Sequence, residues 1–393
     1  MTKSKSSNIW DQKKTAALLS KIFKRDIFLY SQRKKAINTN EFYFVLSSDK
    51  SIKFILPKKD GCHLLSYLSP TTSTSKVMLA ALKVLYRLRI LGLMPNITSC
   101  AVNGLSYVDW SKYGWTKAPA PKVLIVIGTE KESQNAVLFL DDSVNVKNTL
   151  VVKISINNVC NLTNEYNTGN AIGANRTQYI TFNPEENFLT QKYSPGFRKI
   201  IDLNDSHVDY LSGSLLLKEQ KLGRDVKRSL MSGLDAIDRN QIYAFPVVQT
   251  LLASVSNTSL FYSAHTHGDF APYNIIYEKN SQKFVVIDWE NANLDGLALS
   301  DLFNYVYIKD CLFSKHKSSN LDSFLYLMSQ RYFSYIDTQI DLGAFYEYKV
   351  VIIINEFLLR LKDAGPDDVY VKYLYKVMKN ESEKQHLEPS QTF

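Results

Sequence analysis

The sequence predicts an α+β fold in which a small antiparallel sheet is followed by a helical domain. Three observations predict it: short strand-like runs between residues 122 and 220, a switch to helical patterning after Lys221, and a separate mixed region before residue 118. At 393 residues the chain has room for roughly two to three domains and a substantial core.

In residues 1–118, Phe42–Ser47 (FYFVLS) and Ile52–Pro57 (IKFILP) read as two strands about the polar turn SSDKS. Val77–Met94 (VMLAALKVLYRLRILGLM) reads as a helix. Its apolar residues cover most of the circumference, so burial is expected, and Lys83, Arg87 and Arg89 interrupt any membrane span. A basic amphipathic helix lying on a membrane is the other reading of the same letters, so peripheral membrane contact stays open. The prolines of Trp115–Lys122 (WTKAPAPK) mark a linker.

Beyond it, VLIVIG, NAVLFL (Asn135–Leu140) and NTLVVKISI (Asn148–Ile156) read as three strands, the third rich in β-branched residues. Phe197–Leu203 (FRKIIDL) and Gly213–Gln220 (GSLLLKEQ) are expected as two more. Between the third strand and these two, Thr163–Asn175 carries Gly169 and Gly173 and is a weak helix. After Lys221 the segments are helical, with Pro246 as an expected break, Glu347–Asp363 as a core helix and a frayed tail from Glu381.

Charge and composition bound the function. A balance of 47 basic against 38 acidic residues gives +9, which suits an anionic partner such as a nucleotide. The basic residues are scattered in pairs and triplets, without the arm or recognition helix of a nucleic-acid binder, so no nucleic-acid partner is expected. Cys62, Cys100, Cys160 and Cys311 are far apart and fit free thiols in a reducing compartment, and the N-terminal segment lacks the apolar core of a signal peptide; a cytoplasmic location is expected.

The chemistry concentrates in His265–Asn274 (HTHGDFAPYN). On a strand, His265, His267 and Asp269 share a face and could hold zinc for hydrolysis, but no further His/Cys cluster with ligand spacing supports that centre. The alternative is phosphoryl transfer, which needs a carboxylate for the acceptor hydroxyl, hard oxygen ligands for magnesium and a cation at the nucleotide phosphates. Asp269 and Asn274, five residues apart, can carry the first two roles. Asn274–Glu290 (NIIYEKNSQKFVVIDWE) reads as a hairpin, and a turn centred near Ser281 places Asn274 opposite Asp288. Lys153 stands inside an apolar strand, where an ammonium needs a partner; Glu165 is the best candidate, with Glu185 and Glu186 as fallbacks.

The pair HGDFAPYN and VVIDWE resembles the signature of the aminoglycoside phosphotransferase and choline kinase group, which shares the protein-kinase-like fold. The resemblance covers about residues 121–393, densely only between 265 and 305. It implies a bilobal fold with a β-rich nucleotide-binding lobe at 121–218, a hinge at 219–221 and a helical acceptor-binding lobe at 222–393. Residues 1–118 lie outside it as an extra α+β domain. It implies Asp269 as catalytic base, Asn274 and Asp288 as magnesium ligands, and Lys153 with Glu165 at the nucleotide phosphates. His267 supports the loop and Asp301 steadies it, with Glu290 assisting metal or substrate. Gly128, Thr129 and Ser133 stand where a phosphate-covering loop belongs, although one glycine is fewer than that loop usually carries. Glu219, Gln220 and Lys221 stand where backbone groups meet the adenine.

The expected activity is therefore transfer of the γ-phosphoryl group of ATP, with GTP not excluded, to a hydroxyl of a small molecule, with a sugar or glycan intermediate as the suggested acceptor. IDWE runs directly into NANLDG without a long activation segment, which favours small acceptors over proteins. A metal-dependent hydrolase at His265, His267 and Asp269, and a non-catalytic nucleotide-binding module, stand as alternatives.

Overall fold

The computed structural model describes residues 11–30, 40–47, 51–68, 73–94, 96–128, 134–141, 148–156, 162–172, 179–237, 244–278, 283–313 and 320–387. The fold is α+β, and the chain divides into two compact units: Met1–Lys199 with Ile276–Glu290, and Ile200–Ile275 with Asn291–Phe393.

The first unit is built on a nine-stranded sheet of order β1-β4-β2-β3-β5-β6-β7-β9-β8. Its strands are β1 (Phe28–Tyr30), β2 (Asn40–Leu46), β3 (Ile52–Pro57), β4 (Ile97–Asn103), β5 (Lys122–Ile127), β6 (Asn135–Asp141), β7 (Leu150–Ser155), β8 (Tyr179–Asn183) and β9 (Phe188–Lys192). All pairs are antiparallel. The strands alternate cleanly: Phe42, Phe44, Ile55, Val123, Ile125 and Val152 pack into one core, while Tyr43, Val45, Leu56 and Leu124 pack into another. A side-chain period of two lets one sheet serve both cores. Helix α1 (Gln12–Phe23) joins the first core through Leu19, Ile22 and Phe23; α2 (Ser73–Arg87) joins the second through Leu82 and Tyr86.

The proline-marked segment before β5 does not interrupt this sheet. Phe54 and Ile55 of β3 pair with Val126 and Ile125 of β5, so residues on both sides of 118 share one hydrogen-bonded ladder. Trp115 is buried in the first core.

Several expectations fail in instructive ways. Helix α2 ends at Arg87 instead of running to Met94, and it is not a buried helix: Val77, Met78 and Val84 within it and Leu88 just after it are all more than half exposed. Residues Phe197–Leu203 form no strand, only an isolated bridge from Phe197 to Tyr277. Gly213–Leu215 ends helix α4 (Asp205–Leu215) instead of opening a strand. Pro246 sits in the first turn of α6 (Phe245–Ser254), where its missing N–H costs no helical bond. Glu381–Leu387 belongs to helix α10 (Val369–Leu387), and Glu381 is buried against Lys349 at 3.1 Å, so this part of the tail is packed.

The second unit holds a three-stranded sheet, β10 (Leu216–Leu222), β11 (Leu260–Thr266) and β14 (Asn293–Leu297), with β11 central. Around it stand α4, α5 (Gly223–Asp235), α6, α7 (Ser300–Phe313), α8 (Leu321–Ser334), α9 (Leu342–Ala364) and α10. Helix α9 is buried on nearly every side from Tyr348 to Leu358, the mark of a central helix. Cys62, Cys100 and Cys311 are free thiols, and Cys160 lies outside the described residues. Among the described residues no helix is long and apolar enough to cross a membrane.

Candidate functional site

In the first unit the site starts at Lys153, in the middle of β7 between partners Val137 and Leu189. Its neighbours Val152 and Ile154 face the core on one side of the sheet, so Lys153 emerges on the other. The expected weak helix forms as α3 (Leu162–Ala171) and carries Glu165, wholly buried, in its first turn. Lys153 Nζ lies 2.8 Å from both Glu165 oxygens and 2.6 Å from Asp288 Oδ1. Burial alone would lower the ammonium, but the carboxylates of Asp288 and Glu165 outweigh it and hold Lys153 protonated. Burial pushes the Glu165 carboxyl up, against the pull of Lys153. With the ammonium at hydrogen-bond distance from both oxygens, the pair is ionised. Of the fallback partners, Glu186 pairs with Lys112 at 2.9 Å.

Asp288 follows β13 (Phe284–Val286), which pairs with β12 (Ile275–Tyr277). The hairpin closes through Glu278 N–H to the Lys283 carbonyl at 3.0 Å. That register is one residue away from a turn centred near Ser281; residues 279–282 are outside the described set. Asp288 itself has φ of +73°, a left-handed conformation rare for a residue with a side chain and common at ligand-holding positions. Glu165, Asp288 and Glu290 bring carboxylate oxygens within 4.8 Å of one another, a grouping found among the described residues that could hold a cation. Asn164 Nδ2 donates to the Glu290 carbonyl at 3.0 Å, tying α3 to the segment that bears Asp288. Gly128 ends β5, its N–H bonded to the Asn135 carbonyl at 2.8 Å; Thr129 and Ser133 lie outside the described residues.

Sequence reasoning missed Arg198. Its Nε is buried without a hydrogen-bond partner among the described residues; burial lowers its pKa and the charge of Asp288 acts in the opposite direction. It stands in Phe197–Leu203, which the sequence reads as a strand, and beside Lys199 nothing local marks it as buried.

In the second unit, the segment after β11 carries Asp269. Tyr273 Oη donates to Asp269 Oδ1 at 3.1 Å, and Asn274 Nδ2 donates to Asp269 Oδ2 at 2.9 Å. Asp269 N–H in turn donates to His267 Nδ1 at 3.2 Å, and His267 is fully buried. His267 therefore holds the turn, whereas His265 turns to the Leu294 carbonyl at 2.8 Å. Gly268 has φ of +76°, and a Cβ there would lie 2.1 Å from the Asn291 carbonyl oxygen. Both the conformation and the space demand glycine. Gly268→Ala is expected to lower stability by about 2 kcal/mol or more and to displace the loop, read as a lower urea midpoint. An unchanged midpoint would contradict this account of the turn.

Asp301, in the first turn of α7, does not cap its own helix. It accepts N–H bonds from His267 at 2.6 Å and Gly268 at 3.0 Å. Burial raises its carboxyl to about 7 from 3.8, with those two donors pulling it down. The folded state therefore holds the proton more tightly than the unfolded chain. The resulting stability is full below the unfolded value and is lost as pH rises through about 7. The wild-type advantage over Asp301→Asn in urea unfolding should thus be larger near pH 5 than near pH 8 (about one to two units either side of the buried value). An advantage independent of pH would refute the buried titration.

A second residue missed in the sequence is Arg360 on α9, whose Nη2 lies 2.7 Å from Asp269 Oδ1. Its Nε lies 2.7 Å from Glu356, which in turn accepts from Asn304 at 3.1 Å. Burial raises Glu356, with Arg360 acting against it. A charged i,i+4 pair inside an apolar helix was the signal available. Glu219, Gln220 and Lys221 lie on β10; Glu219 and Gln220 are exposed, and Lys221 pairs with Asp295 at 2.7 Å.

No protein-family model matches the chain, and no curated protein matches it. Solved structures do. Choline kinase from Streptococcus pneumoniae is 15% identical, over 65% of this chain and 92% of that one, at a TM-score of 0.41. A choline/ethanolamine kinase family protein from Mesorhizobium loti is 14% identical, over 65% and 87%, at 0.37. An aminoglycoside 2'-phosphotransferase in complex with GDP is 12% identical, over 72% and 99%, at 0.43.

Proposed function

We propose that the chain is a magnesium-dependent phosphotransferase that moves the γ-phosphoryl group of ATP, or of GTP, to a hydroxyl of a small molecule. The observation that carries this reading is the buried Lys153 ammonium held between Glu165 and Asp288, with Glu290 completing a group of carboxylates. Magnesium prefers such hard oxygen donors, and a fixed ammonium beside them suits polyphosphate. A bound magnesium would neutralise charge on the nucleotide phosphates.

Residues 121–218 bind the nucleotide, 219–221 act as the hinge, and 222–393 supply the catalytic loop and the acceptor site. Lys153, steadied by Glu165, contacts the phosphates. Asp288 and Asn274 hold the metal, with Glu290 in support. Gly128 and its neighbours Thr129 and Ser133 cover the phosphates. Asp269 orients the acceptor hydroxyl and accepts its proton as the new bond forms. Because phosphoryl transfer leaves little covalent work to the protein, a carboxylate fixed by Arg360 and Tyr273 suits this role. His267 and Asp301 keep the loop in shape. A sugar or glycan intermediate is the proposed acceptor.

The hydrolase alternative lacks support: among the described residues the group of His, Cys, Asp and Glu side chains that could hold a metal is Glu165, Asp288 and Glu290, and neither His265 nor His267 belongs to it. The test is incubation with γ-labelled ATP or GTP, magnesium, and a panel of sugars, amino alcohols and aminoglycosides. Label transferred to one acceptor class is the expected result. Stoichiometric zinc in the purified protein together with no transfer would overturn the proposal.

A further inference from the structure

Helix α2 and the turn after it present a surface that the proposed chemistry does not use. Val77, Met78, Val84, Leu88 and Leu93 are between 53% and 82% exposed, an unusual concentration of large apolar side chains in one short segment. On a helix of 3.6 residues per turn, Val77, Ala81, Val84 and Leu88 fall in one stripe along the solvent side. Leu82 and Tyr86 occupy the opposite side, buried in the second core. Lys76, Lys83 and Arg87 form a parallel stripe at the edge of the apolar one, and Arg89 follows it.

The charge of this segment is one-sided. Ser73–Met94 contains four cations and no Asp or Glu. Among the described residues, none of the four is in an ion pair. Lys83 and Arg87 also line a neighbouring cleft of about 600 Å³ with Lys122, where one carboxylate, Asp60, stands among three cations.

An apolar stripe flanked by cations is what an interfacial helix needs: aliphatic side chains to enter the acyl boundary and lysine or arginine to meet phosphate headgroups. We infer that α2 docks this protein on an anionic phospholipid surface, with Val84 and Leu88 entering the bilayer interface and Lys76, Lys83 and Arg87 lying at headgroup level. Charge complementarity selects this occupant over a neutral bilayer or an uncharged apolar protein face.

The test is co-sedimentation of the full chain with vesicles of phosphatidylcholine containing about one-third phosphatidylglycerol, against pure phosphatidylcholine. Binding to the anionic vesicles is expected, falling at least about tenfold on neutral vesicles or at high salt. The double variant Val84→Glu/Leu88→Glu should lose it, and Lys83→Gln/Arg87→Gln should weaken it roughly fivefold per cation removed. Leu327→Glu, at an exposed position of α8, should bind like wild type. Unfolding midpoints of all variants establish that they are folded, and the charge variants keep the test decisive if the glutamate pair is not. Three results would each overturn the inference: no partition of wild type into anionic vesicles, undiminished partition of both double variants, or a wild-type dimer that Val84→Glu/Leu88→Glu dissociates while vesicles bind neither form.

Discussion

Replacing Asp269 by Asn is expected to leave nucleotide affinity within about twofold of wild type while turnover falls by roughly 10²–10⁴-fold. The substitution keeps the volume and one oxygen, so the loop retains its shape. Arg360 keeps its 2.7 Å pair with Glu356, so no buried guanidinium is orphaned. What disappears is the second oxygen and the negative charge that, in the proposed reaction, orient the acceptor hydroxyl and take its proton. The split matters: a structural role for Asp269 would lower stability and nucleotide binding together, whereas a role at the acceptor lowers turnover alone. A variant that turns over at near wild-type rate would remove Asp269 from the chemistry.

Lys153→Met carries the second large effect. It leaves Glu165, wholly buried, without its ammonium partner, and breaking a buried ion pair on one side costs about 3–5 kcal/mol. Lower stability by about 3 kcal/mol and loss of most nucleotide affinity are therefore expected. The double variant Lys153→Met/Glu165→Met separates the two consequences. With both charges gone, apolar side chains of similar volume fill the space, and most of the stability should return. Nucleotide affinity should not return, because the cation proposed to meet the phosphates is still missing. Recovery of both in the double variant would reduce the pair to a structural strut.

The parts of this architecture that were legible in the sequence obey local rules. Strands β5 and β7 are marked by β-branched runs, and Lys153 within the second needs a partner because a buried ammonium is costly alone. Glu165 was the right residue in a segment whose propensity argued against a helix. Helix α3 forms despite Gly169 because Leu162, Glu165 and Thr168 are buried, and packing overrides propensity of that size. The parts that were not legible depend on pairings distant in the chain. Nothing local in Phe54 and Ile55 announces that they pair with Val126 and Ile125, so the single sheet across residue 118 could not be read. Arg360 meets Asp269 across 91 positions, and its helical spacing identifies only Glu356. For α2, periodicity groups the apolar side chains on a face without saying whether that face is covered.

The central claim is that Asp288 and its neighbouring carboxylates hold a divalent cation through which the nucleotide is retained. Isothermal titration of ATP into the wild-type protein and into Asp288→Asn, each with magnesium and with a chelator, tests it most directly. The account predicts binding in wild type that weakens at least about tenfold under chelation, and an Asp288→Asn variant in which magnesium makes no difference. ATP binding in wild type that is equally tight with and without magnesium would contradict it.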